Sequence, residues 1–84
     1  MIILVFRARS QATKAYEKLK MHGLTALIST PSGLTNGCSL SVKIDENLLN
    51  LALALIKSER LNTFVGAYYL GENGEIAGKI RLPY

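Results

Sequence analysis

The sequence predicts an α+β domain of two helices and five strands in the order βαββαββ. Three observations carry that expectation. Ile2 to Phe6 is an uninterrupted apolar run rich in β-formers. Two later stretches repeat apolar residues at helical spacing. Near the other end, Ile76, Gly78, Ile80 and Leu82 alternate strictly with Glu75, Ala77, Lys79 and Arg81.

Each element has its own local reason. The run Ile2 to Phe6 lacks alternation, so it reads as a strand covered on both faces. Ser10 offers an N-cap, and Ala12, Ala15, Tyr16 and Leu19 recur every three to four residues, predicting a helix from Gln11 to His22. Gly23 supplies a left-handed stop. Thr25 to Ser29 predicts a second strand, and the turn formers from Thr30 to Gly37 predict a loop. Leu40, Val42 and Ile44 alternate with Ser41 and Lys43, the pattern of a half-buried strand.

Asp45 can cap a second helix whose apolar positions, Leu48, Leu49, Leu51, Ala52, Leu55 and Ile56, form a wide face. Thr63 to Leu70 predicts a fourth strand. Asn73-Gly74 favours a two-residue hairpin turn, whose register sets Tyr69 opposite Gly78 as an aromatic covering a glycine. A longer loop is the alternative, because that register also opposes Glu72 to Glu75. The first six elements form the split βαβ, or ferredoxin-like, pattern, a two-layer sandwich here extended by one hairpin strand.

Composition bounds the function. At 84 residues one domain spanning 1–84 is expected. Such a chain buries about 60–65% of its unfolded surface, a marginal core with which a homodimer is energetically consistent. Hydrophobic residues at 49% and charged residues at 19% argue against disorder. The net charge of +4 favours anionic partners, yet no run of like charge suggests a nucleic-acid tail. The single cysteine, Cys38, excludes an intramolecular disulfide and a thiolate metal cluster within one chain. No apolar stretch reaches membrane-spanning length, and a cytoplasmic protein is expected. No carboxylate pair, Ser/His/Asp set or metal-ligand spacing appears, and no cofactor is implied. The strands Ile2 to Phe6 and Leu40 to Ile44 lack the aromatic pattern of RNA-binding sheets, so nucleic acid is not an expected partner.

Topology brings chemistry together. In the ferredoxin-like sheet strand four lies beside strand one, followed by three and two. The loop after strand two then shares an end of the sheet with the start of helix one. Cys38 is thereby set near Arg7, Arg9 and Ser10, and strand five brings Arg81 to the same end. Arginines and a helix N-terminus stabilise a thiolate, which is the nucleophilic form of cysteine. The candidate anion-binding groups are Arg7, Arg9, Ser10, Thr30, Asn36, Gly37 and Ser39. Arg7 and Arg9 have the spacing to share a face if the strand continues. His22 falls about a helix length from Cys38, which disfavours a Cys/His dyad.

The segments Phe6-Arg7-Ala8-Arg9-Ser10-Gln11-Ala12, Ser29-Thr30-Pro31 and Gly37-Cys38-Ser39-Leu40-Ser41-Val42 together resemble a family of small selenium/sulfur carrier-like domains. The likeness covers roughly residues 2 to 70, with Gly66-Ala67-Tyr68 resembling its closing strand. The chain departs at Ser39, where the family usually has glycine, a residue with wider backbone freedom. The resemblance implies a carrier or accessory protein rather than a conventional enzyme. In it Cys38 accepts sulfane sulfur or selenium from a donor protein and yields it to an acceptor.

Each feature also has a plainer use. A free cysteine is commonly a small buried hydrophobe. Arginines at a strand end can simply solubilise it, and the Thr30 to Gly37 loop can be an ordinary connection that lacks the Gly-Lys-Ser/Thr ending of a P-loop. The alternative to a carrier is therefore a non-catalytic protein-binding or assembly module of the same fold.

Overall fold

The computed structural model describes residues 1–31, 34 and 39–81. Its order is β1 (Ile2–Phe6), α1 (Arg9–Leu19), β2 (Thr25–Ser29), β3 (Leu40–Ile44), a 3-10 turn (Glu46–Leu48), α2 (Leu49–Ser58), β4 (Phe64–Leu70) and β5 (Ile76–Lys79). The five strands form one sheet in the order β2-β3-β1-β4-β5 with every neighbouring pair antiparallel. The fold is α+β, two helices packed on one face of that sheet.

Strand β1 is its axis. Alternate residues Ile2, Leu4 and Phe6 enter the core with Ala12, Ala15 and Leu19 of α1 and Ala52 and Ile56 of α2. Burying each large aliphatic or aromatic side chain there stabilises the fold by about 1.5–3 kcal/mol. Phe6 meets Phe64 with ring centroids 5.4 Å apart. The intervening Ile3 and Val5 face away from the helices and are equally buried. Their register neighbours on that side are Lys43 and Tyr68, and Ser41 and Gly66. Lys79 lies across the same surface, its ammonium 5.9 Å from the Tyr68 ring centre. The apolar run of β1 thus has cover on both sides, as its lack of alternation implies.

Several local expectations are corrected. Helix α1 begins at Arg9 with Ala8 at the N-cap, so Ser10 is its second residue and caps nothing. It ends at Leu19, and Gly23 does not take a positive φ. Strand β4 starts at Phe64, one residue late. Ser41 is fully buried, because its hydroxyl finds a partner on the sheet face away from the helices. Leu51 turns outward at 41% exposure, although its neighbours on α2 pack inward. Asp45 does cap, accepting the Asn47 N–H at 3.0 Å, but it caps the 3-10 turn that leads into α2.

The hairpin loop has three residues. Gly74 N–H donates to Gly71 O, Gly71 N–H donates to Glu75 O, and Gly74 sits at φ +83°. The register slips between Tyr69 and Leu70, which removes the Glu72–Glu75 opposition. Tyr69 pairs with Gly78, the pairing expected of a two-residue turn, because the slip compensates for the longer loop. Its ring does not cover the glycine, since a Cβ there would meet nothing within 4 Å. Ile80 continues to the core, donating to Ala67 O at 2.8 Å. The expected continuation to Leu82 falls outside the described residues.

Candidate functional site

The register defines two ends of the sheet. At one, β1 finishes at Phe6 beside the start of β4, and Ser29 of β2 pairs with Leu40 of β3. Beyond that pair Thr30 N–H donates to Ser39 O at 3.0 Å. The Thr30 and Ser41 hydroxyls lie 2.8 Å apart in a hydrogen bond. Ser39 and Ser41 are the buried polar residues among those described. These contacts brace both roots of the connection between β2 and β3, and Cys38 belongs to that connection in sequence. Cys38, Asn36 and Gly37 themselves lie outside the described residues.

The same end holds Arg7, which follows β1, and Arg9 and Ser10, which open α1; all three are exposed. The strand ends at Phe6 and a helix starts at Arg9, so the two arginines do not share a strand face. Strand β5 runs toward this end and delivers Arg81 there. Arg60, which the sequence reading passed over, joins them because α2 finishes beside the start of β4. All four arginines of the chain therefore gather at the sheet end where β2 and β3 are joined. Among the described residues none of the four takes part in an ion pair. Of the six carboxylates, Asp45, Glu46, Glu72 and Glu75 lie at the opposite end, beyond Ile44 and Leu70. Glu59 stays near the arginines but is held by Lys14 and Lys18 at 3.2 and 3.5 Å. The lysines push its carboxyl below the ordinary value, chiefly through the Lys14 hydrogen bond and the Lys18 charge. The resulting polarity favours anions at the arginine end.

Local bonding fixes this end. Gln11 Oε1 accepts the backbone N–H and the hydroxyl of Thr63, and Gln11 Nε2 donates to Asn62 Oδ1 at 2.9 Å. Thr63 Oγ1 accepts the Ala8 N–H at 3.3 Å, and Thr63 O accepts the Arg7 N–H at 2.9 Å. The segment bearing Arg7 and Arg9 is thus tied to the start of β4. A glutamine three residues past the N-cap was the available local signal, half of a capping box. Arg60 adopts φ +54° and closes α2, with Arg60 N–H on Lys57 O and Leu61 N–H on Ile56 O. That is a Schellman end with arginine where glycine is usual.

His22 lies at the far end beside Met21, Leu51 and Leu55, remote from the arginines. Among the described residues no group of histidine, cysteine and carboxylate side chains is arranged to hold a metal ion, and no helix is long and apolar enough to cross a membrane.

A family model described as "Putative Se/S carrier protein-like" matches residues 1–64. The chain belongs to this family. The match runs from β1 to the first residue of β4, so Gly66-Ala67-Tyr68 and the β4–β5 hairpin fall past its end. Searches of the curated proteins and of the solved structures find no match.

Proposed function

We propose that this family member carries sulfane sulfur or selenium on Cys38, at the arginine-rich end of a ferredoxin-like sheet with one added strand. Its main support is the gathering of all four arginines at the end where the Cys38 connection leaves β2 and enters β3. Family membership supports the same reading. The Cys38 thiolate attacks the outer sulfur of a donor protein's persulfide. A new bond forms between that sulfur and Cys38, the donor's S–S bond breaks, and the donor thiolate leaves and takes up a proton. No net oxidation occurs. An acceptor thiolate attacks the cargo in turn, and selenium follows the same path as a perselenide. Arg7, Arg9, Ser10, Thr30, Asn36, Gly37 and Ser39 stabilise the charged cargo through guanidinium, hydroxyl and amide donors.

The test is mass spectrometry of the protein after incubation with cysteine persulfide, with Cys38 alkylation followed against pH. The expected result is a reducible gain of one sulfur atom, absent in Cys38→Ala, and a thiol pKa below the ordinary value of about 8.5. No adduct, together with a pKa at or above that value, overturns the carrier reading.

A second reading, a non-catalytic assembly module, is favoured by Met21 and Leu24, exposed at 82% and 69% at the end opposite the arginines. On that reading a folded Cys38→Ala protein keeps full biological activity; on the carrier reading it loses it.

A further inference from the structure

We propose that the free edge of β2 takes an added strand from an extended, acidic segment of another protein. This stands whether or not Cys38 carries cargo. The Thr30–Ser39 hydrogen bond sets the alternation of the β2–β3 ladder, so Ile28 and Ala26 exchange bonds with Ser41 and Lys43. Thr25, Leu27 and Ser29 consequently direct their N–H and C=O groups away from the sheet. The two sheet edges are guarded unequally. Strand β5 has four residues, a register slip in its pairing, and Lys79 on it. Strand β2 has five residues, an unbroken register, and neither charge nor proline.

The chemistry beside that edge selects the occupant. Met1, Leu24, Thr25, Ala26 and Lys43 line a groove of about 250 Å³. Lys43 is partly buried and has no carboxylate partner among the described residues. In register it lies beside Ala26, whose small side chain leaves the way to an added strand open. Strands sit about 4.8 Å apart, so an acidic side chain opposite Ala26 meets the Lys43 ammonium across that gap. A second copy of this chain fits less well. Antiparallel self-pairing centred on Leu27 sets Ile28 opposite Ala26, and residues 20–31 contain no carboxylate. Lys43 then stays unpaired while two chains of net charge +4 approach.

The test is an NMR titration of the isotopically labelled protein with the peptide acetyl-Val-Thr-Glu-Val-Thr-Val-amide. The expected result is saturable shifts and slowed exchange at the Thr25, Leu27 and Ser29 amides, with Ile76 to Lys79 unmoved. Replacing the peptide glutamate by glutamine, or Lys43→Gln in the protein, weakens binding by about tenfold, as loss of a charge-assisted hydrogen bond requires. Ser29→Pro removes one outward donor from an exposed edge position and abolishes binding in a protein whose circular dichroism is unchanged. Shifts confined to β5, no binding at millimolar peptide, or equal affinity for the glutamine peptide overturns the proposal. A dimer by sedimentation whose β2 amides are already protected without peptide also overturns it, by naming the second copy as occupant.

Discussion

Gln11 Oε1 accepts two hydrogen bonds from Thr63, one from its backbone N–H at 2.9 Å and one from its hydroxyl at 2.6 Å. The pair spans 52 positions of sequence and joins the start of α1 to the start of β4. It follows that Gln11→Ala lowers stability by about 1–3 kcal/mol, since it strands two donors in a half-buried site. Gln11→Glu costs less, because a carboxylate still accepts from Thr63 and the Asn62 amide can turn its nitrogen inward. Urea unfolding of the two variants orders them.

The Thr30–Ser41 hydroxyl pair predicts an asymmetry. Ser41 is fully buried and Thr30 only partly, so Thr30→Val strands a buried hydroxyl while Ser41→Ala strands one nearer water. Thr30→Val is expected to cost about 1–3 kcal/mol and Ser41→Ala about 0.5–1.5 kcal/mol. The double variant should resemble Ser41→Ala, which denaturant melts of all three proteins will check.

Arg60 holds a left-handed backbone that glycine occupies without penalty. Arg60→Gly should therefore raise stability by roughly 1 kcal/mol, and Arg60→Asn by less. A higher urea midpoint with an unchanged slope is the expected signature.

The depressed Glu59 carboxyl makes stability fall in acid. Its folded pKa lies below the unfolded value, so its contribution is present above the unfolded pKa and is lost as pH falls through the folded one. Lys20 has the opposite sign: its Glu17 partner raises its pKa, and that contribution is lost as pH rises through the raised value. Stability measured against pH should show the acid slope flattened in Glu59→Gln, with the two proteins converging at the lowest pH. Added salt should shrink both effects.

The arginine end predicts a charge preference in Cys38 chemistry. Relative to free cysteine, Cys38 should react faster with iodoacetate than with neutral iodoacetamide. The ratio should fall toward that of free cysteine in high salt and in an Arg7→Gln/Arg81→Gln protein. Equal ratios in all these conditions would show that the arginines act elsewhere.

The five strands and two helices were legible because their apolar spacing is local and strong. Where the reading erred, a partner distant in sequence had replaced a local signal. Ser10 is a good N-cap residue, yet α1 starts before it because Thr63 satisfies the Ala8 N–H from 55 positions away. The Asn73-Gly74 pair marks the hairpin correctly, but moving the turn by one residue frees Glu72 from facing Glu75, and Gly74 alone takes the positive φ. Arg60 escaped notice because arginine is not an expected left-handed residue. Of the candidate site, the common end shared by Arg7, Arg9, Ser10, Thr30, Ser39 and Arg81 followed from topology. The hydroxyl pair beneath it did not, because nothing local in Ser41 marks it as buried.

Strand β1 has partners only in β3 and β4, residues 40 to 70. During translation its five apolar residues are made before either neighbour. Until β3 and β4 have both been made, that segment cannot complete its pairing, and the part of it outside the ribosome is open to chaperones and to other nascent chains. Mutations that delay β4 should thus reduce soluble yield more than they reduce the stability of the finished protein.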